Sequence, residues 1–106
     1  MFVAINYIDC DDHYRERFEE LFRTRAGAID RMPGFREMFV LKPQDGSNRY
    51  LIQSHWDSVE NFDAWKGSPE FIDGHKRGFE DMHRYREEGK KPPLSSQFVT
   101  YEVLTT

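Results

Sequence analysis

Residues Phe2 to Asp9, FVAINYID, carry β-branched and aromatic side chains that predict a strand, and this strand is largely apolar on both faces. Phe2, Ala4, Asn6 and Ile8 share one face, and Val3, Ile5 and Tyr7 share the other. In a chain of 106 residues such a strand has to be covered twice. Helices can cover one face, and the most economical cover for the other is a second copy of the same chain. Asn6 interrupts the apolar row. A buried amide without a partner costs about 1 to 3 kcal/mol, so Asn6 requires either a neighbouring backbone group or a ligand.

After this strand, Asp11 and Asp12 are candidate N-caps of a first helix running to about Ile29, with Tyr14, Phe18, Leu21, Phe22 and Ile29 on one face. Arg25 lies at the edge of that face, placed either for solvent or for an anion lying over the helix. Met32-Pro33-Gly34 makes a turn, and two strands follow, Phe35 to Lys42 and Arg49 to Trp56, joined by a hairpin loop containing Asp45-Gly46. Ser58 starts a short helix that carries Phe62 and Trp65 and ends at Gly67. Ser68-Pro69-Glu70 combines an N-cap, a proline at the first helical position and an acid near the positive end of the helix dipole. The helix it opens runs to Glu87 or Glu88, where Gly89-Lys90-Lys91-Pro92-Pro93 forms a connection that cannot be helical. Ser96 to Leu104 alternates as a last strand.

Strand, helix, two strands, a helix pair and a strand is the order of an α+β, ferredoxin-like domain, here spanning residues 1–106. It predicts an antiparallel four-stranded sheet with helices on one face. Two such sheets packed through their open faces would make a dimeric α+β barrel, a homodimer.

Hydrophobic content of 38% is low for so short a chain, but nine Phe, five Tyr and two Trp supply large apolar surfaces, so the core is expected to be aromatic. Fifteen Lys and Arg against nineteen Asp and Glu leave a charge of −4 and no basic field to attract nucleic acid. Cys10 is the single cysteine and cannot form an intrachain disulfide, and no basic segment with a long apolar run marks a signal peptide. Nor does any run approach the ~20 apolar residues that cross a bilayer. The expectation is a cytoplasmic protein without a membrane partner.

Within the long helix, at about 100° per residue, Phe71, Ile72, Phe79 and Met82 fall within roughly 60° of His75. The imidazole is therefore expected to point into apolar material, with Gly74 and Gly78 leaving space beside it. One reading is a buried histidine satisfied by a backbone carbonyl; the other is a ligand for a flat or bulky group. His83, eight residues further, lies near the same side and ranks below His75 because it is further from Asn6 and Trp65.

Asn6 in the first strand, the run His55-Trp56-Asp57-Ser58 through Phe62 and Trp65, and His75 ten residues further resemble the pattern of the IsdG/MhuD-type heme-degrading monooxygenases. These belong to the dimeric α+β-barrel superfamily that includes the antibiotic-biosynthesis monooxygenases. The likeness extends over nearly the whole chain, including Phe22 to Arg25 and Pro33-Gly34-Phe35. It implies that His75 is the axial ligand of heme iron, that Asn6 hydrogen-bonds the distal oxygen ligand, and that Trp65 presses on the macrocycle. Phe22 and Phe71 would be apolar wall, and Arg25, Lys76 and Arg77 are candidates for the propionates. Heme would be substrate and cofactor at once, opened with O2 to release iron. No flavin or nicotinamide site is visible, so an electron-donating reductase or small reductant must supply electrons from outside. Two alternatives stay open, a cofactor-independent monooxygenase acting on a polycyclic phenol and a non-enzymatic heme carrier or sensor.

Overall fold

The computed structural model describes residues 1–106. Four strands, β1 (Phe2–Cys10), β2 (Phe35–Leu41), β3 (Arg49–Trp56) and β4 (Leu94–Glu102), form one antiparallel sheet in the order β2-β3-β1-β4. Three helices, α1 (Arg15–Arg23), α2 (Val59–Lys66) and α3 (Pro69–Glu87), complete the ferredoxin-like arrangement. β1 is central, and in its register Asn6 lies opposite Ile52 of β3 and Phe98 of β4.

The sequence signals that depend on local chemistry operate as expected. Ser68 Oγ accepts the Phe71 N–H at 3.2 Å with Pro69 as the first helical residue, and Ser58 Oγ accepts from Asn61 N. In the β2–β3 hairpin Gly46 takes φ +83°, and Asp45 Oδ1 accepts the Ser47 N–H at 2.9 Å. Gly34 is at φ +78° in the turn before β2, where a β-carbon would land on the Asn61 side chain.

Several boundaries differ from the sequence expectation, the strand ends by one or two residues. The first helix does not reach Ile29: α1 stops at Arg23, Gly27 adopts φ +73°, and Ile29 sits in a separate 3-10 turn, Ile29–Arg31. Both pieces put apolar residues toward the sheet, so a 3–4 spacing ran through the break between them. At the other end, Asp12–Tyr14 is a 3-10 turn and neither Asp11 nor Asp12 caps α1 through its side chain; Tyr14 occupies the N-cap position. The last strand starts earlier than expected, at Leu94, because Leu94 pairs with Cys10 and extends the β1–β4 ladder to its end.

The core is aromatic, and it is divided. Ala4, Ala28, Ile29, Trp56, Phe62 and Trp65 form one buried cluster; Ile8, Cys10, Tyr14, Phe18 and Tyr50 form another. On the inward face of β1, Ala4 belongs to the first and Ile8 to the second, so Asn6 falls between them. Burial also pushes the Cys10 thiol up to about 11, which keeps it protonated and inert at neutral pH.

α3 lies over this gap. Asp81 is its one buried residue, 3% exposed, and accepts from the Tyr14 hydroxyl at 2.5 Å, from Arg17 Nε at 2.9 Å and from Arg84. Burial raises the Asp81 carboxyl, but the hydrogen bonds from Arg17 and Tyr14, with the charges of Arg17 and Arg84, outweigh it and hold it below its ordinary value. A carboxyl lowered on folding stabilises the fold above its unfolded pKa, and that stabilisation is lost as the pH falls through the lower folded value. Asp81→Asn is expected to lower stability at pH 7 by about 2 to 3 kcal/mol, less than a fully buried pair because both arginines reach solvent. Urea unfolding at pH 7 and again near pH 3 checks this: the gap between the two proteins should shrink in acid.

Candidate active site

Between the two core clusters is a cavity of about 460 Å³. Asn6, Ile52 and Phe98 contribute from the sheet, Phe22 from α1, and Phe71, His75 and Gly78 from α3. α3 covers the gap without filling it.

His75 does not sit in a buried apolar stripe. It is exposed, as are Ile72 and Phe79 at 56% and 47%, because α3 is anchored at Asp81 and stands off the sheet elsewhere. A helical wheel gives the side a residue faces but not the gap to the next layer. The ring is sandwiched between Phe71 (centroids 4.1 Å apart, 30°) and Phe79 (5.5 Å, 20°). Its Nδ1 lies 2.7 Å from the Phe71 carbonyl oxygen. A carbonyl only accepts, so Nδ1 carries the hydrogen, and in the neutral ring the free lone pair is on Nε2. The backbone carbonyl thus satisfies one nitrogen and, by fixing the tautomer, prepares the other as a ligand.

The two glycines beside His75 act differently. A β-carbon at Gly78 would meet nothing within 4 Å, which is the open flank the sequence suggested. At Gly74 it would meet Trp65 Cη2 at 3.6 Å and Ala28 Cβ at 3.8 Å, ordinary van der Waals contact, so that flank is bounded rather than open. Trp65 is only 5% exposed, with ring centroids 6.5 Å from Trp56 and 5.3 Å from Phe71. It is both core residue and cavity wall, held on several sides. Phe22 packs edge-on against Phe18 at 5.0 Å, which fixes its side of the wall.

Asn6 Oδ1 is buried with no hydrogen-bond partner. None of the neighbouring backbone satisfies it, so this oxygen is open to a water or a ligand.

The cationic candidates separate. Arg25 lines the cavity but is bound bidentately by Asp30 at 2.9 and 3.2 Å. Arg77 lines it too, while its guanidinium donates to Thr24 Oγ1 (2.9 Å) and to the carbonyls of Leu21 (3.0 Å) and Thr24 (3.1 Å), closing the C-terminal end of α1. Lys76 is exposed and outside the lining, and His83 is also outside it, paired with Glu87 at 3.0 Å. The sequence reading passed over Arg86, which lines the cavity. It lies 11 positions after His75, so the same wheel, carried one step further, returns it to within about 20° of the histidine. No three His, Cys, Asp or Glu side chains converge to hold a bare metal ion. No helix is long and apolar enough to cross a membrane.

A ferredoxin-like sheet whose helices roof an apolar cavity, with His75 and Asn6 both in its lining, is the frame in which relatives were found. The chain belongs to the antibiotic biosynthesis monooxygenase family, which matches residues 1–77. A heme oxygenase (mycobilin-producing) of Mycobacterium tuberculosis is 37% identical to it over 67 residues, which is 63% of this chain and 64% of the relative. The alignment therefore spans just under two thirds of that relative's length. The structure of the heme-degrader MhuD from Mycobacterium tuberculosis, with two hemes bound in its active site, superposes with a TM-score of 0.73 at 26% identity, covering 100% of this chain and 98% of that one. SnoaB, a cofactor-independent oxygenase from Streptomyces nogalater, shares the fold at 19% identity, with a TM-score of 0.69 over 99% of this chain and 94% of its own.

Proposed function

We propose that the protein is a heme-degrading monooxygenase that opens the porphyrin ring with O2 and externally supplied electrons and releases the iron. The observation that carries this reading is His75, whose Nδ1–H is fixed on the Phe71 carbonyl and whose Nε2 has no protein partner, at the wall of a 460 Å³ cavity. The similarity to a mycobilin-producing heme oxygenase and to MhuD supports it.

Bound heme would supply both the carbon skeleton to be opened and the iron that activates oxygen. The residues of the chain do the rest. His75 would hold the iron through Nε2, the nitrogen left free when Nδ1–H is fixed on the Phe71 carbonyl. Asn6 offers its amide N–H where negative charge develops in the reaction, and its unpartnered oxygen leaves the side chain free to turn toward a ligand. Trp65, immobilised by Trp56 and Phe71, limits how flat a ring can lie in the cavity. Phe22 and Phe71 exclude water from its sides. Arg25 and Arg77 provide positive charge at the cavity wall, though both already have protein acceptors, while Lys76 lies outside the lining.

The outer face of the sheet supports a homodimer in this reading. Phe39, Leu41 and Tyr101 are 46%, 41% and 44% exposed there, an apolar surface that a second sheet would cover. The protein would work in the cytoplasm with a reductase or small reductant as electron source.

The deciding experiment is a hemin titration followed in the visible spectrum, then ascorbate in air with catalase present. The expected result is a saturable Soret band that decays to an open-chain tetrapyrrole while iron becomes chelatable. Stable binding without decay, under ascorbate and under a flavin reductase system alike, would identify a heme carrier. Absence of saturable binding would overturn the heme assignment in favour of cofactor-independent oxidation of a polycyclic phenol.

A further inference from the structure

Not one aspartate or glutamate lines the cavity, whereas three arginines do, in a protein with nineteen acidic residues and a net charge of −4. An apolar pocket that gathers cations and excludes acids is matched to an apolar ligand with an anionic end. Two of the three arginines are occupied within the protein, Arg25 by Asp30 and Arg77 by the carbonyls that end α1. The Arg86 side chain makes no hydrogen bond or ion pair, although acidic residues follow it directly: Glu87 pairs with His83 at 3.0 Å and Glu88 with Lys90 at 3.0 Å. Those pairings turn the neighbouring carboxylates away and leave the guanidinium available.

Its place on the helix is equally specific. Arg86 lies 11 residues after His75, about three turns and roughly 16 Å along the axis. A helical side chain covers the surface about one turn toward the N-terminus from its own Cα, which for Arg86 is the position of Met82. That residue also lines the cavity, about 10 Å along the axis from His75. Around this end the lining is Pro92, Leu94 and Ser96, which offer no charge to compete.

We propose that Arg86 is the anion anchor of the cavity, binding a carboxylate arm of the flat ligand whose centre His75 holds; this rests on the heme reading above. The fork of the guanidinium takes a carboxylate bidentately, and the spacing between Arg86 and His75 sets how far that arm lies from the ligated centre. The anchor therefore selects for ligands carrying an acid at that reach and fixes which way round the ring enters.

The test compares two probes, hemin and hemin dimethyl ester, on the full chain and on Arg86→Met. The Arg86 side chain has no hydrogen bond or ion pair to lose, so the variant should melt at the temperature of the parent protein. Hemin is expected to bind Arg86→Met about tenfold more weakly with its Soret position unchanged, since His75 still ligates, while the diester binds both proteins within about twofold. Arg86→Lys should recover part of the loss. Equal affinity of parent and variant for hemin, or an equal loss with hemin and diester, would overturn the anchor and leave the heme reading standing. No saturable hemin binding by the parent protein would overturn that reading and the anchor with it.

Discussion

His75→Ala is expected to abolish the Soret signature of axial ligation and to weaken hemin binding by about 100-fold or more. Loss of a supporting hydrogen bond to a metal ligand alone costs about 10- to 100-fold, and here the ligand itself is removed. Folding should be nearly unaffected, because the ring is exposed and its one hydrogen bond goes to a carbonyl of its own helix. The truncation leaves a pocket between Phe71 and Phe79 shaped like an imidazole. Free imidazole added to the variant should enter it and restore the spectrum. A variant that keeps the parent spectrum without added imidazole would show that His75 is not the ligand.

Asn6→Ala carries the second large effect, and its two readouts move in opposite directions. Removing a buried amide whose oxygen has no partner should raise the stability of the ligand-free protein by about 1 kcal/mol, less whatever packing the smaller side chain forfeits. Hemin should still bind, since His75 is untouched. Ring opening should slow by about 100-fold, the usual loss when a donor aimed at developing charge is removed. Thermal melting and the rate of Soret decay, measured on the same preparation, check both halves. Parent-like turnover would count against the role assigned to Asn6, and a stability loss would mean that the amide is satisfied in solution.

Much of this was readable from the chain because the deciding interactions are local. Ser68-Pro69-Glu70 opens α3 where expected, Asp45-Gly46 turns the hairpin, and the alternation along β1 places Asn6 on the helix side between Ala4 and Ile8. What failed did so where tertiary contacts decide. The end of α1 depends on Gly27 and on Arg77 reaching across from α3 to the carbonyls of Leu21 and Thr24, and no periodicity within α1 encodes that. Arg25 looked available because its acceptor, Asp30, lies beyond the expected helix end at Ile29, in a 3-10 turn that the sequence did not reveal. Exposure of His75 was hidden for a third reason: amphipathic spacing is the same whether a helix lies on a sheet or bridges a hollow.

The split core has a consequence for the life of the protein in the cell. Two aromatic clusters with a hollow between them amount to a folding unit with room for one more component, which a bound ligand would supply. At a ligand concentration 100 times its dissociation constant, linkage alone adds about 2.7 kcal/mol to stability, a large share of what holds a domain of this size together. Proteases act on the open population, so the amount of protein that survives would rise and fall with the supply of its substrate. Enzyme that meets no substrate would be cleared, with no dedicated sensor required.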